Sequence, residues 1–189
     1  MLIATILAAS LALSPPIATD WRTLAERSGY TQTPRYAETF DYFSKLDAAS
    51  EQAKLIEFGT TPQGRKQFAF VIASGDEFTP GAAKVSGKPV LLIQACIHAG
   101  ENEGKDALMA LSREWLLEAK QKAALDGVIL LLIPIFNVDG HERFSAFSRI
   151  NQNGPNEMGW RSTAQNYNLN RDFIKAEAPE MRADRKSVV

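Results

Sequence analysis

The stretch PVLLIQACIHAGENEGKDALMALSREWLLEA, residues 89–119, decides the fold. It opens with an apolar run of strand length, which reads as a central strand buried on both faces. From Gly104 the pattern changes to helical spacing, with Leu108, Leu111, Trp115 and Leu116 on one face and charges opposite. Between the two lies a polar turn carrying His98 and Glu101. At i and i+3 on a helix start, an imidazole nitrogen and a carboxylate can converge on one ion. The same string also fits a plain helix start, with the glutamate favoured by the helix dipole.

Working outward, AKLIEFGTTPQGRKQFAFVIAS (53–74) reads as two strands around a Thr-Pro-Gln-Gly turn. GVILLLIPIF (127–136) reads as a second buried strand. TPRYAETFDYFSKLDAAS (33–50) and AEAPEMRADRK (176–186) read as helices, with Pro179 suited to a first turn. Strand, helix, strand with wholly apolar strands argues for an α/β sheet covered by helices. In such sheets ligands gather at the carboxyl ends of the strands. His98 and Glu101 follow one such end, and Asn137, Asp139 and Gly140 follow the other. Residues 137–170 then dissolve into Gly, Asn, Ser and Arg, a length of loop that is usually functional or disordered. Within it Arg161, Asn170 and Arg171 suit a carboxylate ligand, because a guanidinium binds that group through two parallel hydrogen bonds. A solvated arginine pair that merely holds the loop down fits equally.

The chain has 189 residues, enough for one domain with a real core. Its 21 basic and 22 acidic residues give a net charge of −1, which offers no signature of nucleic-acid or anionic-membrane binding. A single cysteine, Cys96, excludes an internal disulfide framework. The opening MLIATILAASLAL is too short to span a bilayer and fits the apolar region of an export signal over residues 1–19, leaving 20–189 as the domain. A buried N-terminal helix is the other reading of that run.

Taken together, HAGE (98–101), NVDGHERF (137–144), QNGP (152–155) and LNRD (169–172) resemble the zinc carboxypeptidase, carboxypeptidase A-like, family, and most closely its bacterial members. The resemblance runs over about residues 35 to 185 and continues in EAPEMRA (177–183). It implies a mixed, largely parallel sheet flanked by helices, and a metallocarboxypeptidase that uses one Zn2+ to hydrolyse the C-terminal peptide bond of a substrate with a free carboxylate. It assigns His98 and Glu101 as zinc ligands, Arg161 as the group that polarises the scissile carbonyl, and Asn170 and Arg171 as the pair that binds the terminal carboxylate.

The family pattern also calls for a later histidine ligand and a later glutamate base. The only two histidines here are His98 and His141, and the chain ends 17 residues after Asp172. His141 reads as a surface-loop histidine at a variable position of the pattern, Cys96 as a small apolar residue, and Glu103 as pointing away from the site. The expectation is a C-terminally truncated, inactive fragment of an exported enzyme. Two other readings are an amidohydrolase acting on small N-acyl amino acids or cell-wall peptides, and a non-catalytic module that binds peptide C-termini.

Overall fold

The structure is a computed structural model that describes residues 20–118 and 122–187. The expected export signal lies outside those residues. The chain forms α1 (Leu24–Arg27), α2 (Tyr36–Ala49), β1 (Ala53–Thr60), β2 (Lys66–Ile72), α3 (Pro80–Ser86), β3 (Val90–Gln94), α4 (Glu103–Leu116), α5 (Lys122–Leu125), β4 (Ile129–Ile133), α6 (Val138–Glu142) and α7 (Pro179–Ser187). The four strands make one mixed sheet in the order β1-β2-β4-β3. β1 and β4 each pair with β2 antiparallel, and β3 pairs with β4 parallel.

Strand periodicity sorts the core into two layers. On one face Phe68, Phe70 and Ile72 of β2 and Leu130 and Leu132 of β4 pack with Phe43 and Leu46 of α2 and Leu108 and Met109 of α4. On the other, Ala69, Val71, Ile129, Leu131 and Ile133 pack with Phe136, Leu169, Ala178 and Met181, the last from α7. β2 and β4 are apolar on both faces because both faces are covered. Each fully buried aliphatic or aromatic side chain stabilises the fold by about 1.5–3 kcal/mol.

Three expectations are corrected. β3 is an edge strand within the described residues, and Val90 and Leu91 are each 51% exposed. Among the described residues no further strand pairs with its outer side. The buried stripe of α4 is Lys105, Leu108, Met109 and Ser112, while Leu111 lies outside it. The helix is turned from its expected setting because the Lys105 ammonium finds acceptors inside, the Pro34 carbonyl and His141 Nε2. His141, expected on a surface loop, is fully buried in α6.

The parallel pairing runs on past the strand ends and ties the two polar turns together. The Phe136 N–H donates to the Ala95 carbonyl (3.0 Å) and the Asn137 N–H to the Cys96 carbonyl (3.1 Å). Cys96 turns the chain out of β3 with φ +51°, in the left-handed region that few non-glycine residues adopt. Its thiol is buried, as expected of a small apolar residue, and burial pushes its pKa up to about 12.

Candidate metal and carboxylate site

A hydrogen bond from the Glu101 N–H to the His98 carbonyl (2.9 Å) closes a tight turn over the HAGE string. That turn brings the two side chains together: His98 Nδ1 lies 3.1 Å from Glu101 Oε1. The imidazole is nearly buried, and the Glu101 carboxylate is 42% exposed. Glu103 begins α4 with its side chain exposed and lines a separate cavity of about 510 Å³ shared with α1, away from the His98–Glu101 pair.

The second turn carries the rest. The Asn137 side chain accepts the Gly140 N–H (3.0 Å) and donates to the Arg161 carbonyl (3.2 Å), so the segment bearing Arg161 is held against the end of β4. Gly159 makes that approach possible. A Cβ there would stand 2.7 Å from His141 Cα and 2.9 Å from the Ala99 carbonyl oxygen, backbone on both sides. Arg161 Nη1 thereby comes 3.9 Å from Glu101 Oε1, with its side chain 43% exposed. Asn170 and Arg171 sit exposed on a single 3₁₀ turn, Leu169–Arg171. The structure thus gathers His98, Glu101 and Arg161 directly, and links the Asn170–Arg171 turn to them through Asn168.

Asn168 also fixes which nitrogen of His98 carries hydrogen. Its Oδ1 accepts the Asn170 backbone N–H (3.1 Å), which identifies that atom as the amide oxygen. The same oxygen lies 3.1 Å from His98 Nε2. Nε2 must therefore be the donor, and in the neutral ring Nδ1 keeps its lone pair. Two lone-pair acceptors 3.1 Å apart, Nδ1 and Glu101 Oε1, repel each other unless a proton or a cation lies with them. Zinc takes both donor types, and a ligating histidine commonly donates its other N–H to an oxygen. His98 and Glu101 therefore fit two positions of a metal site. Among the described residues no group of three or more His, Cys, Asp or Glu side chains converges as a metal cage.

Sequence reading missed two residues here, and named a third, Asp139, without its role. Asn168 is one of several asparagines in QNYNLN, and nothing in its spacing singles it out. Arg149 donates to Glu101 Oε1 (3.1 Å) from a loop whose quoted motif begins three residues later. Asp139, fully buried, accepts from Thr61 Oγ1 (2.8 Å), the Gln63 N–H (3.1 Å) and Arg65 Nη1 (2.7 Å). It clamps the β1–β2 turn onto α6.

The profile of the family described as zinc carboxypeptidase matches residues 40–187. The chain belongs to the zinc carboxypeptidase family. Solved structures with a similar fold include a metallo-carboxypeptidase from Burkholderia cenocepacia (22% identity, TM-score 0.58, covering 80% of this chain and 36% of that one). Another is the metallo-carboxypeptidase from Pseudomonas aeruginosa solved with (2-guanidinoethylmercapto)succinic acid (18%, TM-score 0.58, 82% and 37%). A third is carboxypeptidase A from Helicoverpa armigera (18%, TM-score 0.54, 71% and 29%). At these identities the likeness concerns the fold, and the chain spans roughly a third of the length of these structures. A comparison with curated proteins returned no match. The expected mixed sheet flanked by helices is the family's, and zinc is the family's metal.

Proposed function

We propose that the site serves a metallocarboxypeptidase reaction, hydrolysis of the last peptide bond of a substrate with a free terminal carboxylate. The observation that carries this reading is the approach of His98 Nδ1 to Glu101 Oε1 with Nε2 committed to Asn168, a pair of lone-pair donors set for a cation. His98 and Glu101 would hold the zinc. When bound, zinc polarises a carbonyl and acidifies water. Arg161, half out in solvent beside Glu101, donates to the carbonyl oxygen as it gains charge. Asn170 and Arg171, exposed on their turn, bind the terminal carboxylate, and this restricts the reaction to chain ends.

As a separate polypeptide the 189 residues supply two of the usual three protein ligands. His141 does not serve as the third, since it is buried and hydrogen-bonded to Lys105 and Glu142. Nor does Cys96, whose buried thiol is directed at the Glu101 backbone carbonyl (3.5 Å). Turnover by this chain alone is therefore expected to be negligible. The apolar run near the N-terminus supports export of the mature domain from about residue 20. No helix among the described residues is long and apolar enough to cross a membrane.

Calorimetry of the purified chain tests the reading. Zinc should bind weakly and not at all to His98→Ala. A peptide with a free carboxylate should bind, while its amide and the Arg171→Ala variant should show no heat. Equal affinity for acid and amide refutes the carboxylate assignment. Brisk release of the terminal residue refutes the two-ligand argument. Carboxylate binding that persists with chelator, together with no zinc binding, selects the non-catalytic module instead.

A further inference from the structure

Glu101 stands on a surface turn with nearly half its carboxylate in water, yet it must face His98 to share an ion. We propose that Arg149 is the positioning residue that fixes the Glu101 carboxylate in its metal-facing setting. The proposal rests on the metal-site reading above.

The Arg149 side chain is 8% exposed, so it lies behind the turn and out of reach of substrate. Its Nη2 donates to Glu101 Oε1 at 3.1 Å. Gln152, in the amide orientation that satisfies both of its atoms, accepts from the same Nη2 (2.9 Å) and donates to the Gly100 carbonyl (3.3 Å). The guanidinium is thus tied at once to the carboxylate and to the backbone of the turn that carries it.

The turn is shaped to admit this side chain. A Cβ at Gly100 would lie 2.6 Å from Arg149 Cγ and 2.5 Å from the Gly159 carbonyl oxygen. The glycine of HAGE is therefore required by the arginine stem and by the Gly159 backbone that cross beneath it. Arg149 Nη1 is buried and has no hydrogen-bond partner among the described residues. Arg161 makes the contrast, since it meets the same oxygen at 3.9 Å from a side chain 43% exposed. One guanidinium anchors the ligand from behind, and the other faces the substrate.

The anchoring effect and the charge of Arg149 have opposite signs for metal binding. A fixed carboxylate favours the ion, whereas a nearby guanidinium repels it. The proposal holds that fixation dominates. Both bonds leave from one nitrogen, Nη2, so a lysine ammonium at this position keeps part of the anchor, and an apolar side chain keeps none.

The test is the zinc affinity of the purified chain, read by competition with a chromophoric chelator, for wild type, Arg149→Met and Arg149→Lys, each also combined with Glu101→Gln. Arg149→Met should weaken zinc binding about tenfold or more. Arg149→Lys should weaken it less, and neither should add to the loss in Glu101→Gln. Unchanged or tighter binding overturns the proposal, as does an equal further loss in the Glu101→Gln background, which would mark a general structural role. If Arg149→Met fails to fold, as judged by its urea midpoint with chelator present, Gln152→Leu replaces it. That variant should weaken zinc binding by a smaller factor, and unchanged affinity there overturns the proposal. A zinc-free readout separates this inference from the reading beneath it. Hindered rotation of the Arg149 guanidinium in 15N spectra should disappear in Glu101→Gln. Failure of the wild-type chain to bind zinc sinks the site reading, and spectra indifferent to Glu101→Gln sink the Arg149 anchor.

Discussion

His141 should make the protein acid-sensitive in a window where few other groups titrate. Its ring is fully buried. Nε2 lies 3.1 Å from the Lys105 ammonium, which can only donate, so Nε2 accepts. Nδ1 then donates to Glu142 Oε1 at 3.1 Å. A proton added to Nε2 would face that ammonium with no acceptor. Burial pushes the His141 pKa down to about 4, Lys105 pushes the same way, and Glu142 opposes both. In the unfolded chain the value is about 6.5. Between those values the unfolded state binds more protons, so stability is fully present above pH 6.5 and is lost as pH falls toward 4. The fall from about 6.5 to about 4 corresponds to about 3 kcal/mol, of which roughly 2 kcal/mol is gone by pH 5. Burial alone would raise the Glu142 pKa, but hydrogen bonds from His141, the Tyr36 N–H and Arg35 outweigh it and hold the carboxyl at about 2. Its own contribution is therefore lost only below pH 4.5, outside this window. The measurement is urea unfolding at pH 7 and pH 5 for wild type and His141→Gln, whose amide can donate to Glu142 and accept from Lys105 without titrating. Burial raises the pKa of Asp106, Glu180 and Asp184, and these groups are common to both proteins, so they cancel in the difference. Wild type should lose about 2 kcal/mol more than the variant between pH 7 and pH 5. Equal losses would refute the neutral, lysine-facing imidazole.

Asn168→Leu should release His98 from a single tautomer. Ring 15N shifts without metal should report Nε2–H in wild type and a mixture in the variant, with a stability loss of about 1–2 kcal/mol. Gly159→Ala should lower the unfolding midpoint by the equivalent of about 2–3 kcal/mol, because its Cβ would meet backbone atoms of His141 and Ala99 that cannot rotate away. Asp139→Ala leaves Arg65, Thr61 and the Gln63 N–H without their acceptor. A loss of about 3–5 kcal/mol is expected in urea unfolding, with hydrogen exchange at the Thr61–Arg65 turn rising first.

Much of the fold is legible because it depends on one segment at a time. The turn signal between β1 and β2 declares two strands, the all-apolar β4 declares two covered faces, and the change to helical spacing after Gly104 declares α4. What escapes is decided by two segments meeting. Lys105 is charged, yet it occupies the core stripe of α4 because the Pro34 carbonyl and His141, 36 residues away in sequence, accept its hydrogen bonds. His141 is buried for the same reason, and neither residue's neighbours in sequence reveal the other. β3 has the composition of an interior strand and, among the described residues, the position of an edge, and composition carries no record of which strand lies alongside.

The candidate site divides along the same line. HAGE alone is as consistent with a helix start as with half a metal site, because both put a glutamate near the first turn. What separates them is the state of one nitrogen. Asn168, 70 residues beyond His98, accepts the hydrogen bond from Nε2–H, and in the neutral ring this leaves the Nδ1 lone pair facing Glu101. A helix-capping histidine has no need of that arrangement, since a free ring would turn Nδ1–H toward the carboxylate and relieve the repulsion. The setting of the His98–Glu101 pair is therefore fixed by the loop that closes over it, and not by the turn that bears it.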